Sequence, residues 1–355
     1  MIQQFLVRLL LSPFAFLYGI GVGLRDLFYR TGVLKAVEFD VPTISVGNLS
    51  VGGAGKSPHI EYLTSLLREY INLGILSRGY QRKTKGYREV RLNDDALQAG
   101  DEPLQFKRKY PDVLVVVSES RTFAIPKMIA DYPQIQCVLL DDAFQHRAIK
   151  PGLNILLTEF DRPYTKDWLL PSGRLRENQR AADRADLIVV SKCPPVLPQT
   201  ERSKFLKNLK PRPHQKVFFS YYNYFQAYHL FRPDIKIPDL RNLEVLLICA
   251  IANTDYLIKY LNEACESVET LEYEDHHYFD KYDLSNLKRR FDKMDGSQKI
   301  IITTEKDAMR LQIHSDFILE NQLPIFVLPI QVVFHDEDGN LFDNTVRQYL
   351  MNFTV

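Results

Sequence analysis

The sequence is poor in cysteine, nearly neutral in net charge, and free of internal repeats and low-complexity tracts. Its four cysteines lie far apart and none forms a Cys-x-x-Cys pair, so neither a zinc site nor a disulfide framework is indicated. Such a chain is typical of a reducing, cytosolic compartment. The net charge of +1 over 355 residues gives no general attraction to acidic partners, and no nucleic-acid partner is expected.

The N-terminal segment lacks the features of a secretory signal, because no Ala-x-Ala cleavage site stands out and basic residues flank both ends of its apolar run. The uncharged run from Leu9 to Leu24 has 16 residues, fewer than the ~20 that a membrane span needs, and Pro13 interrupts it. Aromatic and leucine side chains between arginines favour a helix that lies at a membrane surface. A helix packed on the protein's own core and a single membrane span are the alternatives.

The stretch 44–57 combines an apolar strand pattern, a glycine-rich loop and the start of a helical pattern. This order predicts a phosphate-binding P-loop, because loop N–H groups and a helix N-terminus present positive partial charge to an anion. The match to Gly-x-x-x-x-Gly-Lys-Ser/Thr is incomplete, since Ser50 takes the place of the first glycine. Lys56 is expected to reach the β- and γ-phosphates and Ser57 to bind Mg²⁺. The predicted nucleotide-binding residues are Ser50, Val51, Gly52, Gly53, Ala54, Gly55, Lys56 and Ser57.

From residue 38 onward, short apolar runs alternate with helical patterns. Continuous apolar strands separated by helices predict an α/β fold, with a mostly parallel P-loop NTPase-like sheet and helices on both of its faces. A segment dense in aromatic residues at 216–231 predicts an extended hinge between two such regions. The predicted organisation is a membrane-associating helix at 1–34, a P-loop domain at 35–215, the hinge at 216–231 and a smaller α/β domain at 232–355.

Three further places could carry chemistry. Asp141 and Asp142 follow an apolar strand, where a P-loop site has its Mg²⁺-binding carboxylate. Asp101 begins a helical pattern, and by itself a carboxylate there caps a helix more often than it catalyses. Asp275-His276 suits proton transfer, although surface histidines in a loop would give the same pattern.

Two other stretches are less informative on their own. Thr304-Glu305-Lys306-Asp307 opens a helical pattern and is best explained as a helix cap. The stretch 172–177 offers two guanidinium groups that suit a phosphate, but arginines are common on protein surfaces.

Taken together, these stretches resemble one family, the tetraacyldisaccharide 4'-kinases (lipid A 4'-kinases) of Gram-negative bacteria. The matching pieces run in order through most of the chain, and their combination is specific although no single piece is. They are the apolar N-terminal helix, Val46-Gly47-Asn48 with the Gly-Gly-Ala-Gly-Lys-Ser-Pro that follows, Leu76-Ser77-Arg78-Gly79-Tyr80, Gly100-Asp101-Glu102-Pro103, Asp141-Asp142-Ala143-Phe144-Gln145-His146, Leu170-Pro171-Ser172-Gly173 with Arg176-Glu177, Asp275-His276 and Thr304-Glu305-Lys306-Asp307. Ala54, Ser57 and Ala143 depart mildly from the family pattern, and Ser57 keeps the hydroxyl that Mg²⁺ needs.

The resemblance implies an enzyme that transfers the γ-phosphoryl of ATP, with Mg²⁺, to the 4'-hydroxyl of tetraacyldisaccharide 1-phosphate, giving lipid IVA in lipid A biosynthesis. It implies a protein peripheral on the cytoplasmic face of the inner membrane, where residues 1–34 reach an acylated substrate that stays in the bilayer. A monomer is expected.

The resemblance also implies roles for particular residues. Asp101 is expected to be the catalytic base, His276 the residue that orients or polarises it, and Lys56 the cation on the transferred phosphate. The implied metal ligands are Ser57, Asp141, Asp142 and Glu102. Weaker expectations near substrate or phosphates fall on Arg78, His146, Arg176 and Glu177.

Two other classes of protein would use the same loop and Asp pair. One is a nucleotide switch or metal-insertion GTPase, and the other is a membrane scaffold that merely binds nucleotide. A guanine-specifying Asn-Lys-x-Asp is missing, since Ser191-Lys192-Cys193-Pro194 has its place but lacks both the Asn and the Asp. The lack of a Cys-x-x-Cys pair argues against a metal chaperone.

Overall fold

The computed structural model describes residues 2–296 and 298–354, so Met1 of the predicted N-terminal segment and Ser297 and Val355 of the predicted C-terminal domain lie outside the described residues. The α-helices in this part of the chain are α1 (Ile2–Arg30), α2 (Lys56–Leu67), α3 (Ala96–Ala99), α4 (Asp101–Lys109), α5 (Arg121–Asp131), α6 (Gln199–Leu209), α7 (Asp255–Ala264), α8 (Lys281–Lys293), α9 (Glu305–Leu311), α10 (Ser315–Glu320) and α11 (Asp338–Met351). Short 3₁₀ helices cover Tyr164–Lys166, Gln179–Arg184 and Gln312–His314.

The strands alternate with these helices along most of the chain. They are β1 (Thr43–Asn48), β2 (Leu73–Ser77), β3 (Arg88–Glu89), β4 (Leu114–Val117), β5 (Cys137–Asp141), β6 (Leu153–Glu159), β7 (Leu187–Ser191), β8 (Lys216–Tyr224), β9 (Ala227–His229), β10 (Arg232–Ile237), β11 (Glu244–Cys249), β12 (Ser267–Glu272), β13 (Lys299–Thr304), β14 (Ile325–Leu328) and β15 (Ile330–Phe334). The residues form two compact units by their contacts, and each unit is described by itself.

Unit 1 contains the residues up to Arg78, Val113–Tyr222 and the residues from Val332. Its strands lie in the order β15-β8-β7-β6-β1-β5-β2-β4, and each neighbouring pair from β8 to β4 is parallel. Strands β1, β5, β6 and β7 are buried along their whole length, as their continuous apolar sequences require. Parallel pairing sets Val46 beside Asp141, so the loop after β1 and the carboxylates after β5 leave the sheet at the same edge.

Unit 2 contains Gly79–Asp112 and Asn223–Gln331. Its strands lie in the order β10-β9-β14-β13-β11-β12, with β14 to β12 parallel and the two edge strands β9 and β10 antiparallel. Apolar side chains of β11, β13 and β14 form its core with Leu257 and Leu261 of α7. Helix α4 contacts α9, which follows β13. The predicted fold class, mostly parallel α/β sheets with helices, is confirmed.

The two units do not follow the predicted boundaries. Residues 79–112, predicted in the main domain, belong to unit 2, because α4 packs against α9 there. The residues from Val332, predicted in the smaller domain, belong to unit 1, where Phe334 stacks on Phe342 and Tyr349 Oη bonds to the backbone of Thr43. The predicted hinge at 216–231 carries strands β8 and β9, one in each sheet.

Helix α1 is long, and from Arg8 onward it exposes most of its apolar side chains. It continues through Pro13, and Leu10 and Phe16 are 75% and 70% exposed. From Arg8 to Arg30 it is long and apolar enough to cross a membrane by length and composition, and only 6% of its most apolar stretch is buried. A helix that packed on the protein's own core would bury these side chains, so that alternative does not fit the exposure.

Candidate functional site

The glycine-rich loop between β1 and α2 has the backbone that a phosphate-binding loop needs. Helix α2 begins at Lys56, directly after Gly55, whose φ of 89° lies in the left-handed region. A Cβ on Gly55 would lie 2.1 Å from the hydroxyl of Tyr222, so glycine is required there for space as well as for conformation. Ser57 follows in the first turn of α2, as the predicted motif places it.

This loop is held by hydrogen bonds from neighbouring segments of unit 1. The N–H of Val51 donates to the carbonyl of Arg174 at 2.7 Å, and the N–H of Arg176 donates to the carbonyl of Leu49 at 2.8 Å. On the other side, the hydroxyl of Ser191 donates to the carbonyl of Ala54 at 2.8 Å. These three bonds tie the loop to the segments around it.

Lys56 and Arg176 share one carboxylate, that of Asp142. Lys56 Nζ lies 3.8 Å from Asp142 Oδ2 and donates to Asn48 Oδ1 at 3.3 Å, while both terminal nitrogens of Arg176 contact the carboxylate at 3.0 and 3.1 Å. Burial opposes ionisation of Asp142, but Lys56 and Arg176 outweigh it and hold the pKa of this carboxyl well below its usual range. Two cations and an ionised carboxylate therefore face the phosphate loop. Asp142 also has a positive φ of 44°, which is uncommon for a residue with a side chain and typical of functional sites.

The predicted metal ligands of unit 1 fit a divalent cation by their chemistry. Asp141 ends β5 beside Val46, and the hydroxyl of Ser77 donates to Asp141 Oδ2 at 2.8 Å. Together with Asp142 and the hydroxyl of Ser57, this set offers oxygen atoms only, which Mg²⁺ prefers. Among the described residues no group of three or more His, Cys, Asp and Glu side chains could hold a metal by itself.

The weaker substrate predictions have different surroundings. Burial and the positive charges of Arg121 and Arg78 lower the pKa of His146 to about 4, so its ring is neutral at pH 7. Its Nε2 atom is buried without a hydrogen-bond partner among the residues that the structure describes. A neutral imidazole can both donate and accept a hydrogen bond, as contact with a polar substrate group requires. Contact of His146 with substrate stays a prediction, and so does contact of Arg78.

Glu177 has a structural contact that the sequence did not indicate. Its carboxylate is buried and contacts the guanidinium groups of Arg25 in α1 and Arg184, the latter at 2.5 Å. The hydroxyl of Tyr18, also in α1, donates to the carbonyl of Arg176 at 2.8 Å. Glu177 therefore fixes α1 to the body of unit 1, and its predicted contact with substrate stays a prediction.

Unit 2 brings Asp101 and His276 together. Asp101 is the first residue of α4, and its Oδ2 lies 3.0 Å from His276 Nδ1 and 3.5 Å from a nitrogen of Arg310. Its other oxygen accepts the N–H of Glu102 at 2.9 Å. Burial opposes ionisation of Asp101, but Lys306, His276 and Arg310 outweigh it and hold the pKa of Asp101 well below its usual range.

His276 is held from both ring nitrogens. Lys306 Nζ lies 3.0 Å from His276 Nε2, opposite the contact with Asp101. An ammonium group can only donate, so Nε2 accepts, and the neutral ring carries its proton on Nδ1 and donates it to Asp101. His276 also has a positive φ of 61°, and its N–H donates to the carbonyl of Ala250 at 3.1 Å. Backbone and side chain together fix the orientation of the ring.

Lys306 and Arg310 are functional candidates that the sequence did not reveal. The predicted cap is confirmed, since the hydroxyl of Thr304 accepts the N–H of Asp307 at 3.1 Å at the start of α9. That helix start places Lys306 and Arg310 one turn apart on the same face, and this i, i+4 spacing was the available signal. Burial disfavours the charged form of Lys306, but Glu102, Asp101 and Asp275 outweigh it and raise its pKa.

The predicted site residues are divided between the two units. Unit 1 holds the phosphate loop, Asp141, Asp142, Arg78, His146, Arg176 and Glu177. Unit 2 holds Asp101, Glu102 and His276. Glu102 lies 3.3 Å from Lys306 in unit 2, an ion pair that accounts for its charge, and its predicted role as a metal ligand stays a prediction.

Strand β1, its glycine loop and α2 place the chain among the P-loop proteins, and a Lys-Ser pair beside carboxylates is what the phosphoryl-transfer enzymes of that class use. Comparison with known families gives the particular group. The family model described as Tetraacyldisaccharide-1-P 4'-kinase matches residues 7–350, and the chain belongs to this family.

Similar proteins agree with this assignment. The chain is 39% identical over 352 residues to the tetraacyldisaccharide 4'-kinase of Bacteroides fragilis strain YCH46, covering 97% of this chain and 93% of that protein. It is 40% identical over 345 residues to the protein of that name from Flavobacterium johnsoniae, covering 97% and 98% of the two chains. The crystal structure of apo-form LpxK from Aquifex aeolicus in complex with ATP matches with a TM-score of 0.71 at 27% identity, over 97% of this chain and 99% of that one.

These matches do not favour the alternative of a nucleotide switch or metal-insertion GTPase. They run over nearly the whole chain and include both units. The family is one of ATP-using kinases, and its work on a lipid A precursor is work at a membrane.

Proposed function

We propose that this chain transfers the γ-phosphoryl of ATP to the 4'-hydroxyl of tetraacyldisaccharide 1-phosphate, giving lipid IVA in lipid A biosynthesis. The observation that carries the proposal is the Asp101–His276 pair, with its 3.0 Å contact. A carboxylate oriented by a histidine suits an acceptor hydroxyl, whereas a protein that only binds or hydrolyses nucleotide needs no such acceptor group. Membership of the family supports the choice of acceptor.

In unit 1, the proposed work is binding and neutralisation. The N–H groups of loop 50–55 and the ammonium of Lys56 would hold the β- and γ-phosphates. Mg²⁺, when bound, neutralises phosphate charge, and Ser57, Asp141 and Asp142 would hold it. Arg176, already oriented by Asp142 and Asn48, presents a second cation to phosphate oxygens.

In unit 2, the proposed work is proton acceptance. Asp101 would orient the acceptor hydroxyl and take its proton at Oδ1 or Oδ2. Because its pKa is held low, it is a weak base, and we expect it to take the proton late, when the hydroxyl has become acidic through its bond to phosphorus. Most of the rate would then come from positioning and charge neutralisation. His276 keeps Asp101 in place by donating from Nδ1.

The proposed location is the cytoplasmic face of the inner membrane, with the enzyme a monomer and α1 lying at or in the bilayer surface. Exposed apolar side chains between Arg8 and Arg30 of α1, with an arginine at each end of that stretch, support a membrane-facing helix. The acyl chains of the proposed substrate stay in the bilayer, so an enzyme that acts on its sugar must work at that surface.

One assay tests the proposal. Purified full-length protein is mixed with Mg-ATP labelled at the γ-phosphate and with tetraacyldisaccharide 1-phosphate in mixed micelles. We expect the label in the lipid and little in inorganic phosphate. Label that appears only in phosphate, with or without the lipid, would contradict the kinase and favour a nucleotide hydrolase. GTP in place of ATP serves as the comparison for the GTPase alternative.

A further inference from the structure

The proposed proton-accepting pair of unit 2 packs against a fully buried arginine, Arg310 of α9. Taking a guanidinium out of water is costly, so a buried arginine needs acids and hydrogen bonds around it. Arg310 has two carboxylate neighbours, Asp307 one turn earlier in α9 and Asp101 at the start of α4. The two terminal nitrogens of Arg310 serve these neighbours differently.

One nitrogen of Arg310 is bonded to the backbone that carries His276. Nη2 donates to the carboxylate of Asp307 and to the carbonyl of Ala250, the latter at 3.0 Å. The same carbonyl accepts the N–H of His276 at 3.1 Å. The N–H of Ala250 in turn donates to Asp307 Oδ1 at 3.2 Å. The left-handed φ of His276 costs free energy unless neighbouring contacts hold it, and these bonds are such contacts.

The other nitrogen of Arg310 faces the proposed base. Nη1 lies 3.5 Å from Asp101 Oδ2, the oxygen that His276 also contacts. Nη1 is buried and has no hydrogen-bond partner among the residues that the structure describes. A buried N–H group without an acceptor costs free energy, so hydrogen bonding does not account for the place of this nitrogen. What it supplies there is positive charge beside Asp101.

The surroundings make that charge effective. The ring centre of Phe279 lies 5.9 Å from the guanidinium carbon, and both Phe279 and Asp101 are buried. Because little water reaches this place, attraction between unlike charges is stronger here than at a surface. The other titratable side chains that interact electrostatically with Asp101 are Lys306 of α9 and, from the segment after β12, His276 and Tyr278.

We propose that Arg310 is a positioning residue for both members of the pair, fixing His276 through the carbonyl of Ala250 and holding Asp101 by charge. The inference rests on the proposed function, because it takes Asp101 as the base. An arginine is required for both tasks at once, since its planar fork presents two nitrogens in fixed directions and a lysine presents one point charge. An arginine that only stabilised α9 would need Asp307 and would have no need of Asp101.

The test follows the pH dependence of kcat and the carboxyl ¹³C shift of Asp101 in variants of Arg310. Arg310→Met would leave the buried carboxylate of Asp307 without its cation, so it is combined with Asp307→Asn. We expect kcat to fall roughly 10- to 100-fold, with KM for ATP unchanged. The titration midpoint of Asp101 should rise by about one pH unit or more, and the acid side of the kcat profile should move with it. Loss of the Asp307 charge acts in the opposite direction, so it cannot cause this rise.

Two further variants separate positioning from folding. Arg310→Lys keeps the charge, so the Asp101 midpoint should stay near that of the wild type, while kcat falls roughly tenfold because the bond to Ala250 is lost. Arg289→Met, at an exposed arginine of α8, is the matched control and should change neither quantity. Thermal unfolding shows which variants are folded, and if the double variant is not, Arg310→Lys decides the matter.

The outcomes that would overturn the inference are specific. They are an unchanged Asp101 midpoint in the folded double variant, a kcat that falls by one factor at every pH, or a wild-type kcat in Arg310→Lys. The ¹³C titration needs no substrate. A wild-type enzyme that shows the expected shifts but phosphorylates no lipid would therefore be a failure of the proposed function and not of the contacts of Arg310.

Discussion

Lys306 Nζ lies 3.0 Å from His276 Nε2, on the side of the ring opposite to Asp101. Lys306 is surrounded by acids, with Glu102 at 3.3 Å and Asp275 at 3.6 Å, so it is held charged in a mostly buried place. A charged lysine there fixes which nitrogen of His276 carries the proton. Lys306 thus orients His276, and His276 orients Asp101, the base proposed for the reaction.

Replacing Lys306 by methionine should release His276 from this tautomer. We expect turnover to fall, but by less than the roughly 10²- to 10⁴-fold that a positioned base contributes, with KM for ATP unchanged. The ¹⁵N shifts of His276 should show Nδ1 protonated in the wild type and a mixture of tautomers in Lys306→Met. Lys288→Met, at a half-buried lysine of α8, is the control. A wild-type ring protonated on Nε2 alone would contradict the assignment.

Asp101→Asn and His276→Ala should separate chemistry from nucleotide binding. Asparagine keeps the shape of Asp101 but cannot accept the proton, so we expect kcat to fall roughly 10²- to 10⁴-fold while ATP affinity stays near wild type. Single-turnover transfer and nucleotide titration measure the two quantities. Asp292→Asn, on an exposed turn of α8, should change neither. Near-normal turnover in both site variants would remove Asp101 and His276 from the reaction.

Lys56→Met should act on nucleotide use itself. Lys56 lies 3.8 Å from Asp142, and without it that carboxylate loses a cationic neighbour and keeps Arg176 and Arg121, so repulsion of the γ-phosphate should increase. We expect both a higher KM for ATP and a large loss of kcat, with binding to lipid vesicles unchanged. Lys127→Met, which also removes one positive charge from the protein, is the control. A variant that loses vesicle binding but retains normal KM for ATP would contradict this role.

The phosphate loop could be predicted from the sequence because every part of it is local. Strand, glycines, Lys56 and Ser57 are consecutive, and backbone rules alone fix their order. The same holds for the cap at Thr304, which the structure reproduces. Asp101 and His276, by contrast, are separated by 175 positions, and taken alone Asp101 was better explained by capping and His276 by a surface loop. Only the family resemblance indicated that the two residues act together.

What could not be predicted depends on which sheet a segment joins. Residues 79–112 follow β2 of unit 1 in the chain but pack in unit 2, and no periodicity in that segment indicates this. Capping by Thr304 and Asp307 was enough to explain the whole stretch 304–307. The role of Lys306 within that stretch therefore could not be predicted. The left-handed φ values of Asp142 and His276 likewise follow from tertiary contacts, since neither residue type requires them.

His59 should make the stability of unit 1 depend on pH. Its Nδ1 contacts the carbonyl of Gly55 at 2.7 Å, and burial lowers its pKa, despite that bond, from the ordinary 6.5 of a histidine to about 4. Between pH 6.5 and pH 4 this histidine is therefore protonated in the unfolded chain but mostly neutral in the folded chain. The free energy of unfolding falls as the pH drops below 6.5. The free energy of unfolding should decrease by about 2 kcal/mol from this group between pH 7 and pH 5.

The measurement is denaturant unfolding at several pH values for wild type and His59→Gln. The variant loses the titrating group, so its curve should be flatter by this amount over the same range. His214→Gln, at an exposed position, should keep the wild-type slope. Parallel curves for wild type and His59→Gln would show that the ring is protonated in the folded protein near its usual pKa.

Replacing exposed apolar side chains of α1 should detach the enzyme from lipid without unfolding it. Phe14 and Leu17 are 62% and 65% exposed, so Phe14→Ser with Leu17→Ser removes apolar surface that the described fold does not bury. Vesicle co-sedimentation should drop strongly, KM for the micellar lipid should rise, and ATP affinity and thermal unfolding should stay unchanged. Leu319→Ser, at a leucine of unit 2 that is 56% exposed, is the control. Unchanged sedimentation of the double variant would show that α1 does not hold the enzyme at the bilayer, and a fall in the melting temperature would show that the helix packs against protein instead.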